Sequence, residues 1–112
     1  MKPLPAELQR AIEETGAVVQ VRYPWWLRLV LMRGVAGLTL GRRIYIAAGA
    51  DVARSVRHEL VHVRQIARLG ALTFYWRWVR EYFSNRRRGL TSDQAYRQIS
   101  FEVEAFAAER DQ

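Results

Sequence analysis

The chain contains no cysteine. Disulfides are therefore excluded, and so is a metal site built on thiolates. A metal held here has to use histidine and carboxylate. Histidine is scarce too, since the only two are His58 and His62. Long apolar runs are missing as well. The best of them, Tyr23 to Met32, is broken by Pro24 and Arg28 and falls far short of a membrane span. The N-terminus, MKPLPAELQR, lacks the apolar segment of a secretory signal, so an intracellular, cytoplasmic protein is expected. Acid is the minority charge, with 11 acidic against 18 basic side chains. The resulting net charge of +7 favours anionic partners such as nucleic acid or acidic lipid headgroups, and says nothing about the fold.

What is present suffices for one core. Half of the 112 residues are apolar, which fits a single domain over 1–112 and leaves no room for a second lobe. AELQRAIEET (6–15) places Leu8, Ala11 and Ile12 on one face, between Pro5 and Gly16, and reads as a short helix. AVVQVRY (17–23) reads as a strand. WWLRLVLMRG is ambiguous between a short helix and an apolar loop. Residues 35–40 and 43–47 flank Gly41-Arg42 as a hairpin. Asp51 caps a long helix that Gly70 closes. ALTFYWRWVREYF follows as a second helix, SNRRRG (84–89) as a basic loop, and residues 94–109 as a last helix capped by Thr91-Ser92-Asp93. The expected fold is α+β: a short helix, a small sheet of three to four strands, then three helices.

Both histidines fall in RHELVHVRQ, four residues apart on one helical face. One small cation can meet both rings there. Val56, Leu60, Val63 and Ala67 form the stripe suited to a sheet, and Arg57, Arg64 and Arg68 form a solvent flank. His58, His62, Gln65 and Leu69 lie opposite the apolar stripe and face something else, namely the following helices. In an H-E-x-x-H pattern the metal acidifies water, and the carboxylate, here Glu59, works as general base rather than ligand. The plainer alternative is two imidazoles that share a helix by chance.

A catalytic zinc takes three protein ligands, so the third has to be a carboxylate. FEVEAFAAE offers Glu102 and Glu104. Ala95, Ile99, Val103 and Phe106 make the apolar stripe of the last helix, and Glu102 falls within it, where an acid is costly unless paired or bound to metal. Glu102 is therefore the candidate, with a buried ion pair to an arginine as its alternative. Glu104 lies on the far side as a surface residue.

HELVH with a downstream glutamate in an E-x-x-A setting, Glu102 to Ala105, resembles the gluzincin zinc metallopeptidases. The short length resembles the minigluzincins, single-domain relatives keeping roughly the N-terminal part of a thermolysin-like fold. The likeness covers residues 43–109: IYIA, HELVHVRQ and YRQISFEVEAFAAE. It implies a zinc metalloendopeptidase acting on peptide or protein substrates, with Zn²⁺ held by His58, His62 and Glu102 and water activated by Glu59. It also implies that Ile44–Ala47 is an edge strand pairing with extended substrate, and that the chain is held latent. The Asp often found four residues after the glutamate ligand is Phe106 here.

Transition-state stabilisation calls for a donor. Tyr96 is a candidate, with Tyr75 and Tyr82 on the preceding helix, although aromatic packing is the ordinary role of each. Gln65 can orient a ligand or simply join helices. Leu72, Tyr75, Trp76, Val79 and Phe83 read as a core stripe. Trp25, Trp26 and Trp78, beside arginines, suit peripheral contact with a membrane surface, and Arg86–Arg88 suit a solvated loop, with no specific nucleic-acid site. Two rivals to a peptidase follow. One is a non-catalytic, zinc-stabilised binding module. The other is a basic protein binding nucleic acid or a membrane surface, its histidine motif accidental.

Overall fold

Pro5 stands immediately ahead of the first helix, α1 (Ala6–Thr15), in a computed structural model that describes residues 4–21, 37–47 and 51–110. Gly16 ends α1 in the left-handed conformation, φ 69°, which a residue with a Cβ adopts only under strain. The turn feeds β1 (Val18–Val21) directly. β2 (Gly37–Leu40) and β3 (Arg43–Ile46) form the expected hairpin around Gly41-Arg42, with Leu40 opposite Arg43. Gly41 sits at φ 62°, as a two-residue hairpin turn demands. Tyr23, WWLRLVLMRG and Val35 fall outside the described residues.

The sheet order is β1-β3-β2, with β1 parallel and β2 antiparallel to β3. This corrects the expectation for Ile44–Ala47. β3 is the central strand, because β1 pairs along its other side from Val18↔Arg43 to Val21↔Ile46. Among the described residues the edges are β1 and β2.

Four helices follow: α2 (Val52–Leu69), α3 (Ala71–Arg87), α4 (Ser92–Arg97) and α5 (Ser100–Arg110). The fold is thus α+β, with five helices and a three-stranded mixed sheet among the described residues. The Asp51 carboxylate accepts the Arg54 N–H at 3.1 Å and caps α2. The loop expected from Ser84 is instead the last turn of α3, which suits Arg86 and Arg87 because cations are favourable at a helix C-terminus. The single helix expected over 94–109 is two. Thr91 and Gln94 form a reciprocal capping box on α4. The chain then breaks at Gln98-Ile99, and Glu81 of α3 accepts both the Ser100 N–H (3.0 Å) and its hydroxyl (2.9 Å). A carboxylate from another helix therefore caps the start of α5.

α2 is the hub. On one side Val56, Leu60 and Val63 pack with Ile44, Ile46, Ala17 and Leu8. Ile44 and Ile46 are fully buried, each worth roughly 1.5–3 kcal/mol of apolar burial. On the other side Ile66 packs with Phe74, Ile99 and Phe101. Ala67, expected on the sheet face, is exposed. The stripe inferred for the last helix is also revised. Val103 points to solvent, whereas Phe101, Glu102 and Ala105 are buried, since the break at Ile99 re-phases α5 relative to α4.

Candidate metal centre

α2 buries His58, Glu59 and His62 within a little over one turn. The two imidazoles lie 5.1 Å apart between centroids, edge to face. Each ring has one nitrogen already committed. His58 Nδ1 is 2.9 Å from Glu109 Oε2, and His62 Nδ1 is 2.8 Å from Gln65 Oε1. A carboxylate and an amide oxygen only accept, so both Nδ1 atoms carry protons and donate. The Gln65 amide cannot be reversed without loss, because its NH₂ donates to the Phe101 carbonyl at 3.3 Å.

Both Nε2 atoms then converge on one side chain from α5. His58 Nε2 is 2.8 Å from Glu102 Oε1, and His62 Nε2 is 2.9 Å from Glu102 Oε2. Glu102 is 3% exposed and accepts a further hydrogen bond from Trp78 Nε1–H at 2.9 Å. Glu104 is exposed. The acid inside the apolar arc is thus the one brought to the histidines, and it pairs with imidazoles rather than with an arginine.

With Nδ1–H donated outward, a ring that also bonds an ionised carboxylate through Nε2 has to be imidazolium. Burial alone would lower the His62 pKa, but the hydrogen bond and charge of Glu102 outweigh it and raise it to about 9. His58 is raised in the same way, burial opposing and Glu102 prevailing. Burial pushes Glu102 up, yet its bonds from His58 and His62 hold it well below the usual carboxylate range. Glu59 goes the other way. Burial lifts it to about 7, more than the two imidazoles pull it down. Its Oε2 is buried with no hydrogen-bond partner, although its backbone carbonyl accepts from the Thr39 hydroxyl at 3.3 Å.

These residues fit a metal ion. His58, Glu59 and His62 can bring three ligand atoms within 4.8 Å of one another. A second carboxylate, Glu102, also reaches both Nε2 atoms, while one Glu59 oxygen is unengaged. Removing the two Nε2 protons would turn an ion-paired cluster into a set of two nitrogen donors and a carboxylate, with both tautomers already set.

The three tyrosines separate. The Tyr75 hydroxyl donates to the Thr39 carbonyl at 3.0 Å and accepts from the Gly41 N–H at 2.9 Å, so it is committed to the β2 edge. The Tyr82 hydroxyl pairs with Ser92 Oγ at 2.9 Å. Tyr96 lies against Glu102, and burial together with the Glu102 and Glu59 carboxylates pushes its phenol far up. Trp78, read from sequence as a membrane contact, points inward to Glu102, and its ring stacks on Tyr82. Glu109 was not singled out from sequence. Its signal was available, since it follows Glu102 by seven residues and so returns to the same helical face. Gln65 does orient a histidine.

Comparison with protein-family models, with curated proteins and with solved structures found no match. Among the described residues no helix is long and apolar enough to cross a membrane.

Proposed function

We propose that this chain is a zinc-dependent metallopeptidase of the gluzincin type, held latent by its own contacts. The reading rests on one observation: two imidazoles with their outer nitrogens occupied meet a single buried carboxylate, beside a second carboxylate with a free oxygen. Zinc, when bound, supplies a Lewis acid that makes water acidic near neutral pH. His58, His62 and Glu102 hold the ion, and Glu109 and Gln65 fix the rings. Glu59 takes a proton from the attacking water and delivers it to the departing amine. Tyr96 keeps its proton, so its hydroxyl is able to donate, which suits the carbonyl oxygen of a scissile bond. An extended peptide would pair with the β2 edge, where the Tyr75 hydroxyl now occupies the Thr39 carbonyl and the Gly41 N–H.

The test combines metal content with cleavage. Protein purified with zinc should carry one ion per chain and lose it in His58→Ala. Glu59→Gln should keep the ion and lose peptide hydrolysis. A wild type that binds no zinc would sink the proposal.

One observation favours a second reading. His58, Glu59, His62 and Glu102 are each at least nine-tenths buried, as suits a zinc ion that joins α2 to α5 without catalysis. Stoichiometric zinc with no hydrolysis, even when Tyr75→Phe frees the strand edge, would select that binding module.

A further inference from the structure

Among the described residues, α3 meets the rest of the protein through Phe74, Tyr75, Trp78, Glu81, Tyr82 and Asn85. The opposite side carries Leu72, Trp76, Val79 and Phe83, spaced i, i+4, i+7 and i+11. Sequence alone suggested a core stripe. Instead these residues are 90%, 66%, 40% and 58% exposed, respectively. Four large apolar side chains in a row span about 16 Å at 1.5 Å per residue, and a patch of that kind marks a contact surface.

The margins identify the contact. At about 100° per residue, Arg86 borders one side of the stripe, and Arg80 and Arg87 border the other. All three are exposed, as is Arg88 just beyond the helix. The one acid of α3, Glu81, lies on the far side, bound to Ser100. The charged groups of α3 at the margins of the strip are thus all cations. A second copy is a poor occupant, because a two-fold contact would set arginine margins against each other. An anionic lipid surface fits. The stripe enters the acyl boundary, the guanidiniums meet phosphates, and Trp76 sits at the interface where indole is favoured.

We propose that α3 is a peripheral docking face for anionic phospholipid, lying along the membrane surface. This holds whether or not the metal centre is catalytic.

Flotation with phosphatidylcholine vesicles, with and without phosphatidylglycerol, tests it on the full chain. Wild type should float with the phosphatidylglycerol vesicles, less so as salt rises. Leu72→Ser with Trp76→Ser should weaken binding at least about tenfold, and Arg80→Ala with Arg87→Ala roughly tenfold or more. These positions are exposed, so circular dichroism and melting temperature should stay as in wild type. No vesicle binding, equal binding to pure phosphatidylcholine, or unchanged binding in the folded variants would overturn the assignment. So would a wild-type dimer that Leu72→Ser with Trp76→Ser makes monomeric.

Discussion

Glu109 Oε2 accepts the Nδ1–H of His58 at 2.9 Å, and its other oxygen holds the Arg54 guanidinium at 3.0 Å. Four residues after Glu102 stands Phe106, whose ring packs on His58 with centroids 4.5 Å apart. Glu109 comes one turn later and reaches the imidazole. Such partners of a metal-bound histidine fix its tautomer and raise its basicity. Glu109→Ala should therefore lower zinc affinity about 10–100-fold, while Glu109→Gln, which keeps an acceptor, should recover much of it. Competition with a chromogenic chelator measures both. Equal affinity in all three proteins would deny Glu109 this role.

Glu102 and Glu104 are two residues apart and should behave oppositely. Glu102→Ala strips two buried imidazoles of their shared partner. The metal-free protein should lose about 3 kcal/mol or more, and zinc binding should fall beyond detection. Glu104→Ala, on the exposed side, should stay within about 0.5 kcal/mol of wild type. Urea titration and zinc content check the pair, and a reversed order would move the third ligand to Glu104.

Stability of the metal-free chain should depend on pH in a defined window. Glu102 titrates lower when folded than its ordinary 4.5, so its contribution is present above that value and is lost as pH falls below it. His62 is raised from 6.5 to about 9, so its contribution is complete below 6.5 and fades as pH rises through about 9. Melting temperatures in chelator should therefore peak between these limits, on the mildly acidic side. A flat profile across the alkaline limb would contradict the imidazolium assignment.

Zinc binding should release protons, because each Nε2 has to lose one before it can coordinate. Near neutral pH, between about one and two protons should leave per ion. Calorimetry in buffers of different ionisation enthalpy counts them. No release would mean that the rings are neutral beforehand.

Tyr75→Phe removes a hydroxyl that bridges the Thr39 carbonyl of β2 and the Gly41 N–H of the following turn. It should cost about 1–2 kcal/mol and, if the edge receives substrate, raise peptide hydrolysis. A drop in hydrolysis at unchanged zinc content would instead make that hydroxyl part of the working site.

Much of this protein was legible from local pattern. The four-residue histidine spacing fixes one face of one helix whatever surrounds it, and the absence of cysteine limits any metal ligands to histidine and carboxylate. Asp51, Thr91 and Gly41 mark element ends through bonds and dihedrals that involve only near neighbours. The preference for Glu102 over Glu104 rests on a stripe that includes Val103, which the structure exposes, so the preferred acid is the buried one although the stripe itself is misphased.

Other features were decided only by tertiary structure. Strand order depends on which edge β1 joins, and no periodicity in β3 records that. α5 restarts at Ser100 against Glu81, a residue from another helix, and this long-range cap turns Val103 outward and Glu102 inward. The stripe on α3 looks the same in sequence whether covered or bare. Its exposure follows from Phe74 and Trp78, which commit the other side of the helix to the core and to Glu102. Local chemistry marked the histidines and the acids, whereas packing between distant helices decided which of them meet and which surface is left exposed.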